Sequence, residues 1–455
     1  MQIEKITKQY ETYKDSGIEW IGKIPHEWEI LTLKRVFSNR DGGAWGEEPQ
    51  NNENDRICIR IADFDYPKMT IKHDIDYTVR NYTSDVINKL TLQRNDILIE
   101  KSGGGEQTPV GRTIIFNESF NALYANFMDR LRVRQNILPK FIQYLLVSFY
   151  QNGITYQYIK QTTGIQNLDL TNLLSKEYVV LPNLEEQQSI TDYLDNKCSK
   201  IDNVIETEKS VIEKLKEYKQ SIITEAVTKG LDKSVPLKDS SIEWIGKIPQ
   251  HWEIWKLSRL SKQIIDGTHS TPTYTQDGIP FLRVTDISAL QNRNDEIDFE
   301  NVMHIPTNEH EELIKRCKPE KGDLLVSKNG SIGIPKIINW DSPFSIFVSL
   351  CLIKVSSKVT VEYLYYYFRS TLIWTEIAIG GKTGTITNLH LDKIKEFKIP
   401  LPNIDEQKSI VEYLDKKCSE IDKAIADKEQ VIEKFTEYKK SLIYECVTGK
   451  RKVVA

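Results

Sequence analysis

The stretch Leu181 to Asp202, LPNLEEQQSITDYLDNKCSKID, returns at Leu401 to Asp422 as LPNIDEQKSIVEYLDKKCSEID, with 15 of 22 positions identical at an offset of 220 residues. A repeat this long restricts the fold to two copies of one unit, because each copy must specify the same local structure. In both, a Leu-Pro-Asn turn stops one element and an acidic turn opens a helix, with Glu185 and Glu186 in the first copy and Asp405 and Glu406 in the second. Acidic side chains suit that end, where backbone N–H groups are free and the helix dipole is positive.

A second repeat precedes the first. DSGIEWIGKIPHEWE at Asp15 to Glu29 recurs as DSSIEWIGKIPQHWE at Asp239 to Glu253, with 12 of 15 positions identical and an offset of 224, so the second interior is four residues shorter. Trp20, Pro25 and Trp28, like Trp244, Pro249 and Trp252, have the spacing of an aromatic clasp that pins a globular part to its helix. The interiors, residues 30–180 and 254–399, have diverged, yet a skeleton is shared. NDILIEKSGGG at Asn95 to Gly105 parallels GDLLVSKNGSIG at Gly322 to Gly333, each a short buried strand with a leading Asp running into a glycine-rich turn. TGIQNL at Thr163 to Leu168 parallels TGTITNL at Thr383 to Leu389. The fold class expected is therefore mixed α/β, with two strand-rich domains of one kind.

After each domain comes a long amphipathic stretch. Ile201, Ile205, Ile212, Leu215, Ile222 and Ala226 follow an a/d pattern, as do Ile421, Ile425, Ile432, Phe435, Leu442 and Cys446. Val204, Val211 and Tyr218, matched by Ala424, Val431 and Tyr438, widen each stripe beyond what one neighbour covers. Ile201 to Val227 predicts roughly 40 Å of helix. The equivalent partner for each helix is its duplicate, which predicts two heads held apart by an antiparallel coiled-coil rod about a pseudo-twofold axis. The boundaries expected are 1–180 for the first head with its Trp block, 181–230 for the first helical spacer, 231–400 for the second head and 401–455 for the second spacer.

Bulk properties fit this plan: 455 residues, 39% hydrophobic and 28% charged, supply several cores. No apolar run approaches a membrane span and the amino terminus is too polar for a secretory signal, so a cytoplasmic protein without membrane contact is expected. The six cysteines contain no CxxC pair and read as small, reduced, half-buried residues, and the seven histidines show no metal-ligand spacing. The net charge of −4 means that any nucleic-acid surface must be local.

Catalytic signatures are missing from the sequence. GGKTGT at Gly380 to Thr385 lacks the leading glycine of a phosphate-binding loop, since position 376 is Glu376. There is no PP dipeptide for an amino-methyltransferase loop, no PD dipeptide to start a nuclease signature, and no GxSxG. What remains is display. Lys101, Ser102 and Gly103, with Arg112 beyond them, and Lys328, Asn329 and Ser331 put cations and small polar groups on loops that an anion can approach. Gln166 and Asn167, with Lys382, Thr383, Thr385 and Asn388 in the second copy, add the amides and hydroxyls that read base edges, and Thr268 and His269 belong to the second head alone.

The Trp block, the glycine turns, TGIQNL or TGTITNL, LPNLEEQ or LPNIDEQ and the heptad helix occur in that order, twice, over nearly the whole chain. Together they resemble the DNA-specificity subunits of type I restriction-modification systems. The resemblance implies that each interior is a target recognition domain reading one half of a split, asymmetric site in double-stranded DNA. It also implies that the repeated helices set the spacing and dock two modification (methyltransferase) subunits, with Glu185, Glu186, Gln187, Glu406 and Gln407 as candidate contacts. No cofactor is then expected on this chain. S-adenosylmethionine belongs to the modification subunits, and ATP and Mg to two restriction subunits able to join them. A rod of roughly 40 Å matches the ~34–36 Å repeat of one duplex turn. Rival readings are a two-headed scaffold for protein or carbohydrate and a self-contained methyltransferase.

Overall fold

The computed structural model describes residues 9–161, 164–290, 292–293, 295–378 and 388–453. The chain forms two compact units, one of residues 1–209 with 429–455 and the other of residues 210–428. Each unit thus combines one head with parts of both long helices.

In the first unit, β1 (Glu29–Thr32) leaves the Trp block and β2 (Phe37–Gly42) enters the interior. There follow β3 (Asp96–Glu100), β4 (Ser102–Gly103), β5 (Thr113–Phe116), β6 (Met128–Val133) and helix α1 (Pro139–Gln151). The interior ends with β7 (Ile159–Gln161), β8 (Gln166–Leu168) and β9 (Tyr178–Leu181). The main sheet has the antiparallel order β5-β3-β6-β2. Its central strand β3 is buried at every residue, as expected of a strand covered on both faces. Ile97 and Ile99 point into the cluster shared with α1 and the long helices, while Leu98 points into a second cluster with Ile114 and Phe116.

The second unit repeats this order. β10 (Glu253–Lys256), β11 (Ser261–Asp266), β12 (Leu324–Ser327), β13 (Pro335–Ile337) and β14 (Leu350–Val355) are followed by α2 (Val361–Arg369) and β15 (Lys398–Leu401). The sheet order β13-β12-β14-β11 is that of the first unit, and Leu324 and Val326 face one cluster while Leu325 faces the other. In both heads the strand after the Trp block pairs antiparallel with the strand before the Leu-Pro-Asn turn, β1 with β9 and β10 with β15. The two repeated sequence blocks therefore meet at the base of each head and enclose the divergent interior.

The long helices run over Leu184–Lys229 and Ile404–Val447, 46 and 44 residues. Both start well before the first a/d residue counted in the sequence, because Asn183 and Asn403 cap them: each side-chain oxygen accepts the N–H of Glu186 or Glu406, at 2.9 and 3.0 Å. The next motif residue is buried and works as a clamp. Gln187 Oε1 accepts from Leu138 N at 2.8 Å and its Nε2 donates to the Pro182 carbonyl; Gln407 does the same with Thr360 N and Pro402. Trp28 Nε1 donates to Glu186 at 3.2 Å and Trp252 Nε1 to Glu406 at 3.4 Å, so the Trp block does pin each head to its helix.

Helix pairing follows the repeat as well. In the first unit Lys439 Nζ reaches both carboxylate oxygens of Asp202 at 2.6 and 2.7 Å, and in the second Lys219 reaches both of Asp422 at 2.7 Å. Asp202 and Asp422 are equivalent positions of the repeat, as are Lys219 and Lys439, so each unit holds one copy of a single contact between antiparallel helices. The six cysteines are free and buried, more deeply than expected, and burial pushes the Cys446 thiol up to about 12. No described helix is long and apolar enough to cross a membrane.

Replacing the clamp, Gln187→Leu, leaves a buried N–H and a buried carbonyl without partners and should cost about 2 kcal/mol. That corresponds to a melting point lower by about 4–8 °C for a unit of this size. Gln188→Leu, on the exposed neighbour, should leave the melting point nearly unchanged in the same thermal scan.

Candidate nucleic-acid interface

The display residues of the first head converge on a small sheet of order β4-β8-β7. Ser102, Asn167 and Lys160 lie in one row across it, and Gly103, Gln166 and Gln161 in the next. Alternation along β8 decides which side chains reach out: Gln166 and Leu168 are buried, while Asn167 is exposed. Ser102 Oγ donates to Asn167 Oδ1 at 2.6 Å, which orients the amide and leaves its N–H groups outward. Gln166 instead accepts from Val110 N at 3.3 Å inside the head. The glycine run is needed for the tight return of this loop, since a Cβ on Gly104, at φ +63°, would stand 2.9 Å from Val110 N.

Cations around this sheet rest on buried carboxylates. Asp129, only 2% exposed, takes Lys101 Nζ on one oxygen at 2.8 Å and Arg40 Nε on the other at 2.6 Å. Arg40 Nη1 also donates to Thr171 Oγ1 at 2.8 Å. Arg112 makes two bonds to the buried Glu100, at 2.9 and 2.8 Å, and lies 3.7 Å over the Tyr66 ring, whose hydroxyl also donates to Glu100. These guanidinium and ammonium groups are held in place and stay partly open to solvent, the state suited to meeting phosphates.

The second head uses the same frame with different side chains. The Lys328 carbonyl accepts from Leu389 N at 2.8 Å, as the Lys101 carbonyl accepts from Leu168 N, and Asn329 bridges Asn388 where Ser102 pairs with Asn167. Lys328 itself corrects the expectation of a displayed cation: it is 4% exposed and its Nζ is 2.7 Å from Asp266 Oδ2. A cation so buried must keep its counter-charge, so this residue holds the loop together rather than facing outward. Arg316 Nη2 donates to Asp266 Oδ1 at 2.7 Å, its Nη1 caps the Asp266 and Gly267 carbonyls, and His269 lies 3.3 Å from Asp266 Oδ2. A Cβ on Gly267 would come 1.9 Å from the Ile346 carbonyl, so glycine alone allows this approach. Thr268, His269 and Arg316 then line an open cleft of about 460 Å³. Ser331 and Asn388 are exposed and Asn329 is half-buried. Lys382, Thr383 and Thr385, with the whole of Gly380 to Thr385, lie outside the described residues.

The candidates for partner contact divide. Glu185 is exposed, whereas Glu186 and Glu406 hold the tryptophans, and Gln187 and Gln407 are buried clamps with both amide ends used inside the fold. Lys160, Arg40, Arg316 and the anchoring carboxylates were missed by sequence reasoning. A strand-like alternation around Gln166 could have signalled Lys160 and Asn167 as outward neighbours; nothing local marks Arg316 as the partner of Asp266, 50 residues earlier. No group of His, Cys, Asp and Glu suited to a metal ion occurs among the described residues.

Asp266 sets a testable electrostatic term. Burial would raise its pKa, but the hydrogen bonds from Lys328 and Arg316 outweigh that and hold it at about 2. Its contribution to stability is therefore present above the ordinary carboxylate range, near pH 4, and is lost as pH falls toward 2. Asp266→Asn strands the Lys328 charge and should cost about 3 kcal/mol at pH 7, much of it recovered in Asp266→Asn with Lys328→Met. The gap in melting temperature between wild type and Asp266→Asn should narrow as pH is lowered from 5 toward 2.

Comparison with known proteins agrees with this architecture. Residues 25–217 and 251–434 each match the family described as type I restriction modification DNA specificity domain. A Methanocaldococcus jannaschii relative named for the MjaX type I restriction enzyme is 27% identical over 446 residues, spanning 95% of this chain and 96% of its own length. The type I restriction enzyme MjaVIII specificity subunit of the same organism is 24% identical over 457 residues, 95% of this chain and 94% of the relative. A solved chain from work on complex assembly and conformational transition of the type I R-M system shares the fold with a TM-score of 0.66, at 16% identity, covering 93% of this chain and 98% of the other. With two copies of that domain on one frame, this chain belongs to the type I restriction-modification DNA specificity family.

Proposed function

We propose that this chain is the non-catalytic sequence-specificity subunit of a type I restriction-modification complex. Each head reads one half of a bipartite, asymmetric site in duplex DNA, while the paired helices set the spacing and dock two modification subunits. S-adenosylmethionine then belongs to those subunits, and ATP and Mg to two restriction subunits when these are present. The observation that carries the reading is the combination of one scaffold with two displays. At equivalent places the first head presents Ser102 and Asn167 and the second Asn329 and Asn388, as two different half-sites require. Arg40, Lys101, Arg112 and Arg316, placed by carboxylates, support backbone contact, and the amides support base reading.

The helices offer a surface for the partner. Tyr218 and Tyr438 are repeat equivalents and are 54% and 45% exposed, and each continues a stripe at seven-residue spacing through Val204 and Val211 or Ala424 and Val431. A tyrosine left exposed in both copies suits an interface anchor.

Two measurements check this. With modification subunits present, the chain should retain its cognate duplex over a scrambled one by a factor that persists while overall affinity falls steeply with salt. Equal retention of both duplexes at every salt concentration would overturn the reading, and a complex that assembles yet retains no DNA would favour a protein- or carbohydrate-binding scaffold. Tyr218→Ser and Tyr438→Ser should each weaken capture of modification subunit about tenfold, with little change in melting temperature. Glu185→Lys tests the adjoining turn by the same pull-down.

A further inference from the structure

The reading surface of the first head carries apolar side chains that a purely polar interface leaves unexplained. Ile165, directly before β8, is 54% exposed, and the alternation that turns Gln166 and Leu168 inward turns Ile165 outward with Asn167. Phe127 is 45% exposed, and its carbonyl accepts the N–H groups of Lys101 at 2.9 Å and Ser102 at 3.2 Å, which fixes it beside the start of β4. Ile165 thus shares a face of β8 with Asn167, and the exposed Phe127 adjoins Ser102 through its backbone. On a duplex the base edges in the major groove present one apolar group, the C5-methyl of thymine, and apolar side chains read it by contact.

Resting on the function proposed above, we propose that Ile165 and Phe127 read thymine C5-methyl groups in the major groove, so that the half-site of the first head contains thymine recognised through its methyl. Asn167, two residues from Ile165 and hydrogen-bonded to Ser102, has no partner for its amide N–H groups among the described residues and can donate them to an adjoining acceptor such as thymine O4 or a purine N7. The second head differs at this point. Its residue equivalent to Phe127 is Ser349, whose carbonyl accepts the N–H of Lys328 at 2.8 Å, so the aromatic part of this contact belongs to the first head alone.

The test uses the chain assembled with its modification subunits and the duplex whose methylated sequence has been mapped. Each thymine of the site is replaced in turn by deoxyuridine, which removes the methyl and keeps every hydrogen-bonding group. At one or more thymines of a single half-site the wild-type complex should lose about fourfold in retention, the factor expected for one buried methyl-sized group. That loss should disappear in Ile165→Ala or Phe127→Ala, while the other half-site responds as in wild type. A deoxyuridine series with no effect at any position, or a loss unchanged in both variants, overturns the inference even though cognate and scrambled duplexes are still told apart. Weaker binding of both variants without any deoxyuridine effect also overturns it, in favour of a side chain wedged between base steps. Equal binding of cognate and scrambled duplexes by wild type would instead remove the proposed function and the inference with it.

Discussion

One buried side-chain amide, Gln187 in the first copy and Gln407 in the second, ties together the three parts that make each unit. Its oxygen accepts the backbone N–H of Leu138 or Thr360, the residue that opens the head's own helix α1 or α2, and its nitrogen donates to the proline carbonyl of the turn. The residue before it anchors the Trp block and the asparagine four before it caps the long helix. A helix start exposes N–H groups that have no intrahelical partner, and burying such a start is tolerated only when each group is satisfied. The Leu-Pro-Asn-x-x-Glu-Gln motif answers that requirement at two helix starts in each unit, its asparagine taking the N–H of Glu186 or Glu406 and its glutamine that of Leu138 or Thr360. It can therefore recur while the interiors change, because its asparagine and glutamine bond to backbone and its glutamate holds the tryptophan of the repeated block, Tyr10 adding a further hydroxyl to Glu186 in the first copy.

A similar economy governs the heads. Their loops differ, yet each has a buried carboxylate from a sheet strand, Asp129 or Asp266, that holds the lysine following the central strand. The degree of burial separates the two: Lys101 keeps about a third of its side chain open, with 31% exposed, and Lys328 only 5%. The second head then turns outward a different set, with Arg316 and His269 gathered on the same Asp266. A constant frame with exchangeable polar groups at the same loops is what reading two unlike half-sites demands of one protein.

Much of this was legible in the sequence, for identifiable reasons. The duplication showed itself because the junction residues pack against one another and both copies must keep them. The central strands showed themselves because burial on two faces demands an unbroken apolar run, ILI at Ile97–Ile99 or LLV at Leu324–Val326. The helix starts showed themselves through the acidic turn after Leu-Pro-Asn, although the heptad pattern alone begins only at Ile201 while the cap sits at Asn183. The loops were harder. Lys328 looks like any loop lysine until Asp266, 62 residues away, is placed 2.7 Å from it, and Gln166 and Asn167 look alike until a two-residue alternation sends one inward and one outward. Such differences depend on pairing between distant segments, and no local pattern records them.

The central claim is that two recognition heads act separately on one repeated frame. The most direct measurement is the methylated sequence in host DNA before and after residues 30–180 are replaced by the corresponding interior of a family member with another specificity, leaving the Trp block and the Leu-Pro-Asn junction in place. The account predicts that one half of the bipartite sequence changes and the other half and the spacer between them stay as they were. A change in both halves, or unaltered methylation by a complex that carries the new interior, would contradict it.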